Sequence, residues 1–183
     1  MTDQTPNGLH YDGEGYAIMC AEPGIFSPWD HGIEPEDICS SNWAGYVCLF
    51  EVRNDHLYLN YLTVAHTPRR GPPPKEDPDN PLSMLVAGSP PLPLLNGVKA
   101  QKGSMGYWDY HDVDLKLDYT GTITVANGDE PPQTSYEPEW SFETVVNQDP
   151  PQTAQYLALT FEHGKLMTAI PVDPPPPEAY FEL

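Results

Sequence analysis

Proline is the feature that most constrains this chain. It makes up 23 of 183 residues, about one in eight against a usual one in twenty. A helix accepts proline only in its first turn, so long helices are not expected. Hydrophobic residues at 39% and aromatics at 11% supply enough core-forming side chains that wholesale disorder is not expected either. The length fits one domain with a core that needs no disulfide or metal.

Two segments read as hairpins. Gly45 to Val52 is rich in β-branched and aromatic residues. His56 to Val64 follows, with Leu57, Leu59 and Tyr61 on one face and Tyr58, Asn60 and Leu62 on the other. Arg53-Asn54-Asp55 between them is turn-forming. The second hairpin runs from Tyr156 to Glu162, turns at His163-Gly164 and returns from Lys165 to Ile170. Its glycine supplies the positive φ of a tight turn, and Glu162 should face Lys165 as an opposite-charge pair. Each hairpin carries Phe-Glu, a polar turn and then Leu, a weak internal repeat. Phe50, Leu59, Leu159 and Phe161 are the expected core.

Weaker strands are expected at Tyr11 to Met19, Leu82 to Val86, Thr122 to Ala126 and Trp140 to Val146. Asp112 to Tyr119 alternates strictly, charged residues outside and apolar ones inside. Pro35 to Cys39 could begin a short helix. The sum is an all-β chain, an antiparallel sandwich or barrel of roughly seven to ten short strands with long Pro-rich loops. One β domain is expected over 1–170, with a charged Pro-rich loop at 67–81. A tail over 171–183 follows, where four consecutive prolines favour a polyproline II rod.

Charge narrows the partners. Eight Lys+Arg stand against 27 Asp+Glu, a formal −19. Nucleic acid and anionic membranes need a cationic face, so neither is expected as a partner. Residues 1–40 and 129–183 hold most of the excess acid, and termini that lie close together would make a negative pole. Such a surface steers a basic protein. The N-terminus lacks the basic and apolar regions of a signal peptide, so a cytoplasmic location is expected. Cys20, Cys39 and Cys48 form no metal spacing, and reduced thiols are expected.

No nucleophile elbow, phosphate loop, dinucleotide fingerprint or zinc motif occurs. Neither a catalytic residue, a metal ligand nor a cofactor is assigned. Trp108 to Asp114 is the most polar constellation. In a strand, Asp109 and His111 would share one face, and Asp112 and Asp114 the other. Trp29, in Ser27-Pro28-Trp29-Asp30, is the tryptophan expected to be exposed. The candidate partner-binding residues are Trp29, Glu34, Glu36, Asp109, His111, Glu178, Tyr180, Phe181 and Glu182.

Trp43-x-Gly45-Tyr46, the Phe50-Glu51-Val52 to Leu57-Tyr58-Leu59 hairpin, Tyr119-Thr120-Gly121 and Phe161-Glu162-His163-Gly164-Lys165-Leu166 occur in that order. The pattern resembles a family of small bacterial all-β proteins, some of them similar to the immunity proteins of toxin systems. The resemblance covers about residues 40–170 and implies a shared β fold without a particular chemistry. The Pro-rich loop and tail depart from it.

The expected function is therefore an acidic cytoplasmic binding protein, in its most concrete form an immunity-type inhibitor of a basic toxin. One alternative is a hydrolase with its site in a β-barrel mouth. Another is an assembly module that docks through its Pro-rich tail.

Overall fold

The computed structural model describes residues 5–36, 42, 44–68, 90–127 and 155–173. These form ten strands: β1 (Gly8–Tyr11), β2 (Glu14–Glu22), β3 (Tyr46–Arg53), β4 (His56–Ala65), β5 (Gln101–Lys102), β6 (Tyr107–Tyr110), β7 (Leu115–Lys116), β8 (Gly121–Asn127), β9 (Gln155–Glu162) and β10 (Lys165–Val172). The fold is all-β. The expected strands at Leu82 to Val86 and Trp140 to Val146 lie outside the described residues, as does nearly all of the 67–81 loop. Pro35 and Glu36 are not helical, and the rest of that expected helix also lies outside. Among the described residues, the helical element is a 3-10 turn at Pro28–His31, with Pro28 at its start.

The chain divides into two compact units. One is a closed seven-stranded β-barrel with strand order β10-β9-β8-β2-β1-β3-β4. It draws on β3 from Cys48 and on β4 as far as Asn60. β1 and β3 run parallel. A parallel neighbour needs a crossover of a dozen or more residues, and the segment from Phe26 to Gly45 is long enough to supply it. Asn7 pins the join: its Oδ1 accepts from the Cys48 backbone N–H at 2.8 Å, and its carbonyl accepts from Ile18.

Strand alternation fills the barrel. Leu9, Phe50, Leu57, Leu59, Ile123, Val125, Leu159 and Phe161 are all essentially inaccessible, so the four core residues expected from sequence are core residues. Cys48 joins them as a free thiol, and burial pushes its pKa well up, so it stays protonated.

Tight turns set the register. Asn54-Asp55 and His163-Gly164 link their strands as two-residue loops, with φ values of 51° and 60°, and 47° and 76°. Positive φ at both central positions is the type I′ requirement, whose twist matches that of paired strands. Glu162 faces Lys165 as expected. The single strand expected over Tyr11 to Met19 is instead a hairpin, because Asp12-Gly13 (φ 52° and 81°) forms a third such turn. Asp112 to Tyr119 keeps its alternating burial but is mostly irregular. Asp112 and Asp114 have φ of 51° and 53°, which breaks a ladder, and only β7 remains as strand.

Two sequence motifs dock on each other. The Tyr119 hydroxyl lies 3.3 Å from the carbonyls of Glu22 and Thr122. Its ring meets Phe161 edge-on at 5.9 Å. Thr120 Oγ1 accepts from the His163 N–H at 2.9 Å, and the Tyr119 carbonyl accepts from Gly164 at 2.7 Å. A Cβ on Gly121 would lie 2.5 Å from the Glu22 carbonyl oxygen, so only glycine fits there.

The other unit comprises Thr5 and the described residues of Ser27–Val47 and Tyr61–Val113. In it the end of β4 pairs with β6, Leu62 opposite Tyr110 through Ala65 opposite Tyr107, and β6 pairs with β5. Ile33, Leu62, Val64, Leu95, Tyr110 and Val113 are its core. Asn96-Gly97 makes another turn with both residues at positive φ, closed by two hydrogen bonds between Leu95 and Val98. Asn96 Nδ2 donates to the Val113 carbonyl at 2.7 Å, which ties this turn down.

Candidate protein-binding surface

Five of the nine residues singled out from sequence are described, and all five belong to this second unit. Trp29 sits in the 3-10 turn. Pro28 before it is buried, and Gly32 after it takes the left-handed conformation (φ 70°) that ends the turn. Ile33 is fully buried and donates its N–H to the Pro28 carbonyl at 3.1 Å. Anchored on both sides, the turn presents Trp29 outward with 53% of its surface exposed. Tyr46 meets the indole edge-on at 5.7 Å and 82°. The ring is therefore held in place while its large apolar face stays wet, as an interface anchor requires. Asp30 and Glu34 on the same short segment are exposed.

Glu36 has a different setting. It is half-buried, its N–H donates to the Ala65 carbonyl at 3.0 Å, and its Oε1 accepts from the Thr67 N–H at 3.1 Å. A Cβ on Gly45 would lie 2.5 Å from the Glu36 carbonyl oxygen. Glu36 thus fastens its segment to the end of β4.

Asp109 and His111 are brought together by a residue that sequence did not single out. The Tyr61 hydroxyl donates to Asp109 Oδ1 at 2.7 Å, and the His111 ring lies 5.1 Å from the Tyr61 ring. Burial first, and the hydrogen-bonded Asp109 carboxylate second, push the Tyr61 phenol well above its ordinary value of 10.0. A phenol held protonated is unsuited to act as a nucleophile or general base at neutral pH. It is suited to fix the direction of a carboxylate. Gly103 lies under the other oxygen of Asp109, where a side chain would collide.

His66 is buried, with 4% exposure, and among the described residues no group meets either ring nitrogen in good hydrogen-bond geometry, the Pro90 carbonyl being only a near neighbour. Its ring stands edge-on to Trp108 at 6.3 Å, and its carbonyl accepts from Trp108 Nε1 at 3.1 Å. Burial pulls the imidazole below its ordinary value, and the Glu36 carboxylate and Pro90 carbonyl oppose this without reversing it. Burial thus favours the neutral ring in the folded chain. Sequence offered six scattered histidines and no signal to separate this one.

Comparison with known protein families, curated proteins and solved structures finds no match.

Glu178, Tyr180, Phe181 and Glu182 lie outside the described residues. Among the described residues, no group of three His, Cys, Asp or Glu is placed to hold a metal ion. No described helix is long and apolar enough to cross a membrane. In the barrel unit, Arg53 Nη2 donates to Asp114 at 2.5 Å, and the guanidinium lies 4.6 Å over the Tyr58 ring. That pairing occupies one of the chain's few cations.

Proposed function

We propose that this chain is an acidic cytoplasmic binding protein, of the immunity type, that occludes a basic protein partner such as a toxin. The observation that carries the reading is Trp29, wedged by Tyr46 yet half exposed, beside Asp30 and Glu34 on a chain of net charge −19. An aromatic anchor contributes contact energy, and surrounding acids contribute steering and selectivity for a cationic surface. The Tyr61–Asp109–His111 cluster adds a carboxylate of fixed direction, suited to a Lys or Arg of the partner.

The hydrolase alternative calls for a buried acid–histidine pair. Among the described residues no carboxylate is bonded to either ring nitrogen of the buried His66, and the Tyr61 phenol is held protonated. These two facts favour binding over catalysis. The test is capture from native cytosol with the wild-type chain and with Trp29→Ala. A basic protein retained by the wild type and lost by the variant is the expected result. Capture of an acidic protein, or capture indifferent to Trp29, contradicts the reading.

A further inference from the structure

The barrel closes at a single rung. β10 meets β4 only where Lys165 faces His56. Two backbone bonds reinforce that corner, Leu166 N–H to the Asp55 carbonyl at 2.7 Å and Leu57 N–H to the Gly164 carbonyl at 2.9 Å. Beyond it the strands part. β4 takes β7 as its neighbour, Tyr58 opposite Lys116 and Leu59 opposite Leu115. β10 continues to Val172 along β9 alone, and Met167 is the residue at which its register with β9 shifts. Among the described residues, nothing pairs with the other edge of β10 from Met167 onward.

Exposure agrees with an open edge. Register places Ala169 opposite Leu159, which faces the barrel interior and is fully buried, and places Ile170 opposite Ala158 on the other face. In a sealed barrel, one of those two faces would be buried. Here Met167, Thr168, Ala169, Ile170 and Pro171 are all exposed, Met167 at 52% and Ile170 at 53%. Free edges are usually guarded by charge, above all lysine. From Leu166 to Val172 there is none; the other guards, a bulge and a proline, stand only at the ends of the free stretch, at Met167 and Pro171. Uncharged, apolar and unpaired, this edge has the properties of a strand that accepts another strand.

Charge selects the occupant. A second copy would bring another −19 to the same edge, and that repulsion works against self-pairing. The charge around the edge is acidic on balance: Asp55 and Glu162 stand against Lys165 at its closed end, and Asp173 stands at its far end, all exposed. We propose that β10 receives an extended segment of the basic partner as an added strand. The segment has an uncharged, β-forming middle of about five residues, matched to the free edge, with Lys or Arg at its ends. This rests on the binding role proposed above and names the mode of contact.

The test uses the full chain and a synthetic probe, five alternating Thr and Val residues flanked by Lys pairs and blocked at both termini. Backbone amide exchange is followed residue by residue. The expected result is fast exchange of the outward amides of β10 in the free protein, with at least about tenfold slowing on saturation with the probe. A probe with N-methylated alternate amides has lost its ladder donors, so it should bind at least about tenfold more weakly. The same loss is expected for a probe flanked by Glu. Ile170→Lys should weaken the Lys-flanked probe while leaving the melting temperature near wild type. Protection of β10 already present in the free monomer, or protection that grows with protein concentration alone, overturns the proposal in favour of the chain itself or a second copy. Equal binding of the N-methylated or Glu-flanked probe also overturns it. A captured basic partner that leaves β10 unprotected refutes this mode of contact and leaves the binding role standing.

Discussion

A Cβ on Gly164 would land on the carbonyl oxygen of Leu117. The same glycine holds φ 76° in the β9–β10 turn and donates its N–H to Tyr119. It is therefore fixed by conformation and by space at once. Gly13, at φ 81° in the β1–β2 turn, has open space around it. Gly13→Ala should cost about 1 kcal/mol, the penalty of a side chain in the left-handed region. Gly164→Ala adds about 1–3 kcal/mol of overpacking. Urea midpoints compared at constant m-value check the difference. Equal losses would mean that the hairpin tip moves freely off Leu117.

Phe50 and Phe161 are each 1% exposed inside the barrel. Truncation of either to alanine should cost about 3–5 kcal/mol, from lost burial and the cavity left behind. Thermal melting checks this. A melting temperature close to wild type in both variants would remove these side chains from the core.

Local pattern made much of the barrel legible. The hairpins around Asn54-Asp55 and His163-Gly164 are written in alternation plus a turn that accepts positive φ. Asp12-Gly13 and Asn96-Gly97 carry the same signal. At Asp12-Gly13 the alternation on both sides is loose, so the pattern alone reads as a single strand where the chain turns. Asp112 to Tyr119 shows the converse: its side chains alternate in burial while two aspartates leave the strand conformation. Nothing in the sequence pairs β1 with β3 or sets the rung between Lys165 and His56. Those contacts join residues far apart along the chain, and the side-chain period does not encode them. The candidate surface was half legible. Trp29 stood out through its neighbours, whereas Tyr61 lies 48 residues from the Asp109 it orients.

His66 makes stability depend on pH. Its folded pKa lies below the ordinary 6.5, so the unfolded chain takes up the proton first. The stability it contributes is full above about pH 6.5 and falls as pH drops toward the folded value. His66→Phe keeps a ring against Trp108 and removes two buried nitrogens that find no good hydrogen bond among the described residues, a defect of about 1–3 kcal/mol each at most. The variant should be at least as stable at neutral pH and should lose less stability than wild type between about pH 7 and pH 5. Denaturant titrations at the two pH values measure it. Parallel losses would mean that His66 is not the group that titrates.

Glu34 is exposed and Glu36 is tied to Thr67 and Ala65. Charge reversal should separate them. Glu34→Lys should slow association with a basic partner while melting barely moves, since exposed charges contribute little to stability. Glu36→Lys should slow association and also lower the melting temperature, through loss of the bond to Thr67. Melting curves that fall equally would place Glu34 in a structural role.

The binding role is tested most directly by the association rate of the captured partner at two salt concentrations. Screening shortens electrostatic reach from about 8 Å at physiological ionic strength to about 3 Å at 1 M. Steering by a chain of net charge −19 should make association fall at least about tenfold over that range, with dissociation changing much less. An association rate indifferent to salt would contradict an acidic surface that recruits a basic protein.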